Sequence, residues 1–235
     1  INKIRLQPLV QFEHDAVFGY EALYRREKGE VFPSAAKILE SVIDARSYAG
    51  DFQLFINMTT QDIVDPNFYK SVLDILDKNC VDGSSIVLEV NESTNPNLLS
   101  VAKKTLGLLR RHNIKIALDD FGSEYSSLSF LNELPVDIIK MDKSFTQEAP
   151  SNRRLRSLLK FGTEVSHDLG CIVVAEGIET QEQLDCVKNA GVDIGQGFLF
   201  TAPFRNFRKK IAPFVELCEF AFFPINGGRQ KACYC

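Results

Sequence analysis

The stretch IKIALDDFGSEYSSLSFLNELPVDIIKMD, residues 114–142, contains two short apolar runs around a polar loop. The first, Ile114 to Leu118, leads straight into Asp119 and Asp120. A loop rich in Gly, Ser and Tyr follows, then Pro135 and a second run ending in Lys140 and Asp142. Short apolar runs bounded by turn residues read as buried strands. Buried strands that release charged groups at their C-terminal ends build the active sites of α/β barrels and doubly wound sheets. Two adjacent carboxylates at such a place repel one another unless a cation lies between them, and hard divalent cations prefer carboxylate oxygens.

Outward from this stretch, the pattern repeats. Residues 53–58, 85–92, 171–177 and 192–200 read as further strands. Helical spacing marks 66–79, 97–112, 151–169 and 180–190, with a short helix near 126–133 and a last one over 205–222. Before them come two strands, 4–12 and 18–25, only a few residues apart and so expected to be antiparallel neighbours. Pro8, inside the first, favours an edge position. A helix from Ser34 to about Tyr48 ends at Gly50. Strand–helix alternation at this spacing gives a parallel sheet with right-handed crossovers. The strand count favours an α/β fold of the TIM-like (β/α)8 barrel type, with one antiparallel strand near the N-terminus. No Pro/Gly/Ser linker divides residues 1–235, which are expected to form a single domain with an irregular tail over 224–235.

The bulk properties set outer bounds. A net charge of −4 argues against non-specific binding of a nucleic-acid polymer, which needs a basic surface. An anionic small ligand fits if metals or a few placed basic residues meet it. No apolar run is long enough for a membrane span, and residues 1–10 lack signal-peptide architecture, so a cytoplasmic location is expected. The six cysteines show no CxxC pair; Cys80, Cys171 and Cys186 are expected as reduced, half-buried thiols, and Cys233 and Cys235 as part of the tail. His14, His112 and His167 fall in a turn and two helices, away from any strand end.

The strand ends carry the chemistry. They present Glu21, Asn57, Glu89 with Glu92, Asp119 with Asp120, Lys140, Glu176 with Glu179, and Gln196. Taken singly, a Glu after a strand is usually a solvated loop residue or a helix N-terminal carboxylate. Lys140 alone reads as a structural ion-pair partner. Repetition at one strand end after another weakens that reading. Oxygen donors without His or Cys suit Mg²⁺ or Mn²⁺ rather than zinc. A pair of such ions promotes in-line displacement at phosphorus by activating water and stabilising the leaving oxygen. Walker A, GxGxxG, GxSxG and HExxH patterns are absent.

These residues resemble the EAL-domain family of cyclic-di-GMP phosphodiesterases. Glu21-Ala22-Leu23 followed by Arg25 is similar to the family signature, and Gln7-Pro8-Leu9-Val10 to its upstream segment. Asn57 lies in a strand like the family's Asn-containing one, and Glu89-Val90-Asn91-Glu92 resembles its ExTE motif. Asp119 to Gly122 with Tyr125 to Leu128 resembles the DDFG loop, and 134–142 the LPVDxxKxD run. Ala175 to Thr180 and Gln196-Gly197-Phe198 complete the ordered set. The resemblance implies a TIM-like barrel that hydrolyses cyclic-di-GMP to linear pGpG by in-line attack of metal-activated water, as a homodimer. By the same resemblance Glu21, Asn57, Glu89 and Asp119 would hold one ion, and Asp119, Asp120 and Glu176 would hold or address a second. Glu176 would be the general base, and Lys140 would contact the attacking water or a phosphate. Gln7 and Arg25 would bind the nucleotide, Arg25 by its forked donors. Gln196 would orient water at the metal, Glu92 would anchor the 121–128 loop, and Glu179 would support the site.

The departures are specific. Glu124 stands where the family loop has its second Gly, Asn91 where ExTE has Thr, Arg26 where Trp is common, and Ala202 where Lys is common. Glu in a left-handed turn costs on the order of 1 kcal/mol that Gly does not. A catalytically silent domain that binds cyclic-di-GMP or a protein partner is the alternative. A metal-dependent lyase of the enolase type is a third reading, against which Asn57 and the DDFG loop argue.

Overall fold

The computed structural model of the chain describes residues 3–49, 52–91, 98–123, 131 and 133–200, with backbone only for 44–49. Eight strands follow one another: β1 Ile4–Gln11, β2 Ala16–Tyr24, β3 Gln53–Asn57, β4 Ile86–Asn91, β5 Lys115–Phe121, β6 Ile138–Met141, β7 Ile172–Ala175 and β8 Ile194–Gln196. They pair in chain order and close into a barrel. All pairings from β2 round to β8 are parallel, whereas β1 runs antiparallel to both neighbours. The expected TIM-like barrel with one reversed strand is the fold found.

Closure corrects one expectation. Pro8 is not on an edge strand, because β1 is bonded on both sides. Its ladder with β8 covers only Leu9–Gln11, so Pro8 lies one residue beyond it, and the missing N–H interrupts no pairing there.

The α-helices among the described residues are α1 Ala35–Ala49, α2 Thr60–Val64, α3 Phe68–Lys78, α4 Leu99–Arg110, α5 Lys143–Glu148, α6 Arg153–Asp168 and α7 Gln181–Asn189. α2 and α5 are additions to the sequence reading. α2 starts in a reciprocal cap: Asp62 N donates to Thr59 Oγ1 at 3.2 Å, and Thr59 N donates to Asp62 Oδ2 at 2.7 Å. Asp62 is buried and also accepts from Ala35 N, so one carboxylate fixes the starts of α1 and α2. The helix expected at 205–222, the tail and Gly50 lie outside the described residues, as does most of 126–133.

Apolar packing forms two shells. Outward-facing residues such as Tyr20, Leu54, Ile56, Leu88 and Val90 pack beneath the helices. Leu9, Phe55, Val87, Ala117, Ile138, Val174 and Ile194 plug the barrel interior. Cys171 is buried and Cys186 half-buried, but Cys80 is exposed, because it occupies the left-handed turn just past α3 rather than the helix's apolar face. The three histidines are on the surface. No helix among the described residues is long and apolar enough to cross a membrane.

Candidate active site

Alternation along the strands builds the site. Side chains two residues apart in a strand share a face. Each residue of the inner plug is therefore followed, two positions on, by a polar residue on the same inward face. The pairs are Phe55 and Asn57, Val87 and Glu89, Ala117 and Asp119, Ile138 and Lys140, Val174 and Glu176, Ile194 and Gln196. In β1, which runs the other way, Leu9 is preceded by Gln7, and Gln7 faces Glu21 across the β1–β2 ladder. The plug thus ends in one polar layer at the C-terminal mouth.

Asp120 breaks this parity. Simple alternation would point it away from Asp119. It adopts a left-handed backbone, φ 56°, where β5 carries one residue more than β6 between Leu118 and Phe121. Such a bulge re-aims a side chain. Ligand oxygens of Asp119, Asp120 and Glu176 consequently lie within 4.8 Å of one another, a span one divalent ion can bridge. Asn91 Nδ2 donates to Asp120 Oδ2 at 2.5 Å and holds it there.

Behind this trio sits Lys140, 1% exposed. Its Nζ lies 2.7 Å from Glu89 Oε1, 2.7 Å from Glu176 Oε1, 2.9 Å from Asp119 Oδ1 and 3.6 Å from Glu21 Oε2. An ammonium has three protons for these four carboxylates. Glu89 Oε1 and Asp119 Oδ1 are close enough to Nζ for ion pairing but lack a well-directed hydrogen bond, and among the described residues Glu89 Oε2 and Gln196 Oε1 have no hydrogen-bond partner. Glu21 is held by two amides, Asn57 Nδ2 at 2.9 Å and Gln196 Nε2 at 2.6 Å. For Asn57 to bind a cation, its amide must turn to present the oxygen instead.

Burial sets the electrostatics. It pushes Glu89 well above the usual carboxylate range, with the Glu21 charge adding to the effect and Lys140 opposing it. It raises Glu176 to about 7, Lys140 opposing and Asp119 and Glu21 adding. Asp120 is also raised, first by burial and then by Asp119. Burial disfavours the charged form of Lys140, yet the four carboxylates outweigh it and hold the ammonium well above its ordinary value. Buried, unpartnered oxygens with no nitrogen or sulfur donor among them suit a hard divalent cation.

A cleft of about 360 Å³ opens over this layer. Gln7, Glu21, Asp119, Glu176 and Gln196 form its floor, and Glu179 and Phe198 stand at the rim, both exposed. Lys143 and Gln147 of α5 also line it. In the sequence Phe198 stands out only as part of a motif, and Lys143 and Gln147 carry no signal beyond following the strand that ends at Met141. Lys140 does not line the cleft. Arg25 is exposed just beyond β2 and is not among the lining residues either. Glu92 and Glu124 fall outside the described residues.

The comparisons with known proteins agree with this architecture. The cyclic di-GMP phosphodiesterase PdeL of Escherichia coli K12 is 35% identical over 153 residues, which are 65% of this chain and 42% of that protein. The crystal structure of the EAL domain of Mycobacterium smegmatis DcpA superposes with a TM-score of 0.80 at 27% identity, covering 94% of this chain and 97% of that one. Klebsiella pneumoniae BlrP1, solved as a manganese and cyclic-di-GMP complex, superposes with a TM-score of 0.73 at 28% identity over 86% of this chain and 55% of its own. The chain spans less than half the length of the curated relatives it matches, from 25% to 42% of each. The EAL domain itself matches residues 3–203, and the chain belongs to the EAL-domain family.

Proposed function

We propose that this domain hydrolyses one phosphodiester bond of cyclic-di-GMP, releasing linear pGpG, with Mg²⁺ or Mn²⁺ held at the mouth. The observation that carries this reading is the trio of Asp119, Asp120 and Glu176, whose oxygens converge within 4.8 Å, the Glu176 carboxyl among them raised to about 7. Support also comes from relatives named as cyclic-di-GMP phosphodiesterases and from the manganese complex of BlrP1. Asp119, Asp120 and Glu176 would hold the ions, with Glu21, Glu89 and Asn57 completing the set of oxygen donors. When bound, divalent ions supply Lewis-acid stabilisation of charge at phosphorus.

The chain's own residues do the rest. The substrate is a dianion, and five carboxylates against one Lys140 would repel it, so binding depends on the cations. Glu176 is the general base, its carboxylate converging with Asp119 and Asp120 where the attacking water would be held. Lys140 keeps Glu21, Glu89, Asp119 and Glu176 together by its four contacts and moderates their mutual repulsion. Gln7 and Gln196 offer neutral hydrogen-bonding groups on the floor, one to the nucleotide and one to water.

Purified protein is incubated with cyclic-di-GMP in Mn²⁺, in excess chelator, and after Mn²⁺ is returned. Turnover is expected to vanish in chelator and return with the ion. The Glu176→Gln variant should lose roughly 10²–10⁴-fold in kcat while still binding substrate. Undiminished product in chelator would sink the metal dependence. Binding without product by the unaltered protein would instead favour a silent receptor.

A further inference from the structure

The cleft is walled by acids. Glu21, Asp119, Glu176 and Glu179 line it, and Lys140 lies behind the floor, fully engaged. Lys143 is the one cation lining the cleft among the described residues. Among those residues it pairs with no carboxylate, and Asp142 beside it caps α5, accepting Ser144 N at 3.0 Å. Lys143 and Gln147 are four residues apart in α5 and so share a face.

The position of this face is fixed by Gly177. A Cβ built there would stand 2.6 Å from Lys143 Cβ, 3.4 Å from its Cα and 3.5 Å from Gln147 Nε2. With φ +70° and no side chain, Gly177 lets α5 abut the residue next to Glu176 as closely as backbone allows. The stem of Lys143 is therefore anchored beside the trio while its head is free to meet a ligand. An ammonium and an amide donor on one wall of a cleft whose other charged lining residues are all acidic match a phosphate. A cyclic dinucleotide carries two phosphates, and only one can occupy the Asp119, Asp120 and Glu176 oxygens through their ions. The other, held by the same ring, would face acidic walls unless a cation meets it.

We infer that Lys143, assisted by Gln147, binds the phosphate of the cyclic dinucleotide that is not being cut. The inference rests on the reading of the cleft as a cyclic-di-GMP site. A lysine merely solvated at the rim would leave kinetics untouched, which the following experiment detects.

Steady-state kinetics of the full chain in Mn²⁺ compare Lys143→Met, Lys143→Arg and Gln147→Ala with the unaltered protein. Lys143→Met is expected to raise KM about tenfold with kcat held within about twofold, and Gln147→Ala to raise KM about threefold. Arg restores most of the loss, and the salt dependence of KM becomes shallower in the Met variant. An unchanged KM overturns the inference. So does a fall in kcat at constant KM, which would put Lys143 at the reacting phosphate. If the unaltered protein turns nothing over, the phosphodiesterase reading fails on its own. Calorimetric titration of cyclic-di-GMP in Mn²⁺ then decides Lys143: about tenfold weaker binding by the Met variant upholds it, and equal binding overturns it. No binding by either protein overturns both readings.

Discussion

The two ends of the barrel use the same residue type to opposite effect. At the N-terminal end, Asp137, just before β6, accepts Ile116 N at 2.9 Å and Arg110 Nη2 at 2.7 Å. Asp193, just before β8, accepts Val173 N at 2.7 Å and lies 2.9 Å from His167 Nε2. Each of these carboxylates receives a strand N–H and a helix-borne partner, and remains partly open to water. At the mouth, Glu89 is fully buried and Asp119 nearly so, and both share one ammonium with two other carboxylates. The lower carboxylates tie neighbouring strands together and are satisfied by the chain alone. Among the described residues the upper ones are left short of partners, which in a folded interior costs stability unless a ligand completes them. Incomplete satisfaction therefore marks the end where chemistry is expected.

Three experiments can break or sharpen this contrast. The largest effect is expected from Lys140→Met. Removing one partner of a buried ion cluster costs about 3–5 kcal/mol, and here it leaves four carboxylates uncompensated. Denaturant melts in chelator should show that loss, and Mn²⁺ should recover part of it; an unchanged midpoint in chelator would mean that Lys140 does not hold the mouth together.

A smaller effect concerns pH. Glu176 titrates near 7 in the folded protein against an ordinary 4.5. Between those values the folded state keeps a proton that the unfolded chain has released. The contribution of Glu176 to metal-free stability therefore falls as pH rises through that window and levels off above about 7. A cation must displace the same proton, and the raised Glu89 and Asp120 carboxyls add to the effect, so Mn²⁺ affinity should rise with pH by about tenfold per unit for each proton displaced. Titrations at several pH values in this range test this, and a flat affinity would contradict it.

The smallest effect is assigned to the other end. Asp137→Ala leaves the Ile116 N–H without its acceptor and removes a half-exposed ion pair, at about 1–2 kcal/mol. Turnover and Mn²⁺ affinity should not change. A loss of metal binding in this variant would show that the two ends are coupled.

Much of the site was legible before any coordinates. Parity of apolar and polar residues from Phe55 and Asn57 round to Ile194 and Gln196 is a property of the written chain. Other features were not legible because they depend on closure. Pro8 suggested an edge, yet β8 returns to pair with β1. Lys143 and Gln147 belong to a six-residue helix too short to carry a clear periodic signal. Their approach to Glu176 depends on contact with Gly177, a residue thirty-four positions from Lys143 in the chain.

Residues 114–142 show where the division falls. The sequence by itself determined two strands, the identity of every charged group they release, and the family whose motifs they share, because strand periodicity and side-chain chemistry are local properties. Only the tertiary structure decided that Asp120 turns back to join Asp119, and that Lys140 is sealed among four carboxylates. It also decided that Glu176 titrates near 7. Those outcomes follow from a bulge set by the neighbouring strand and from desolvation inside a closed barrel, and both exist only once distant segments are packed together.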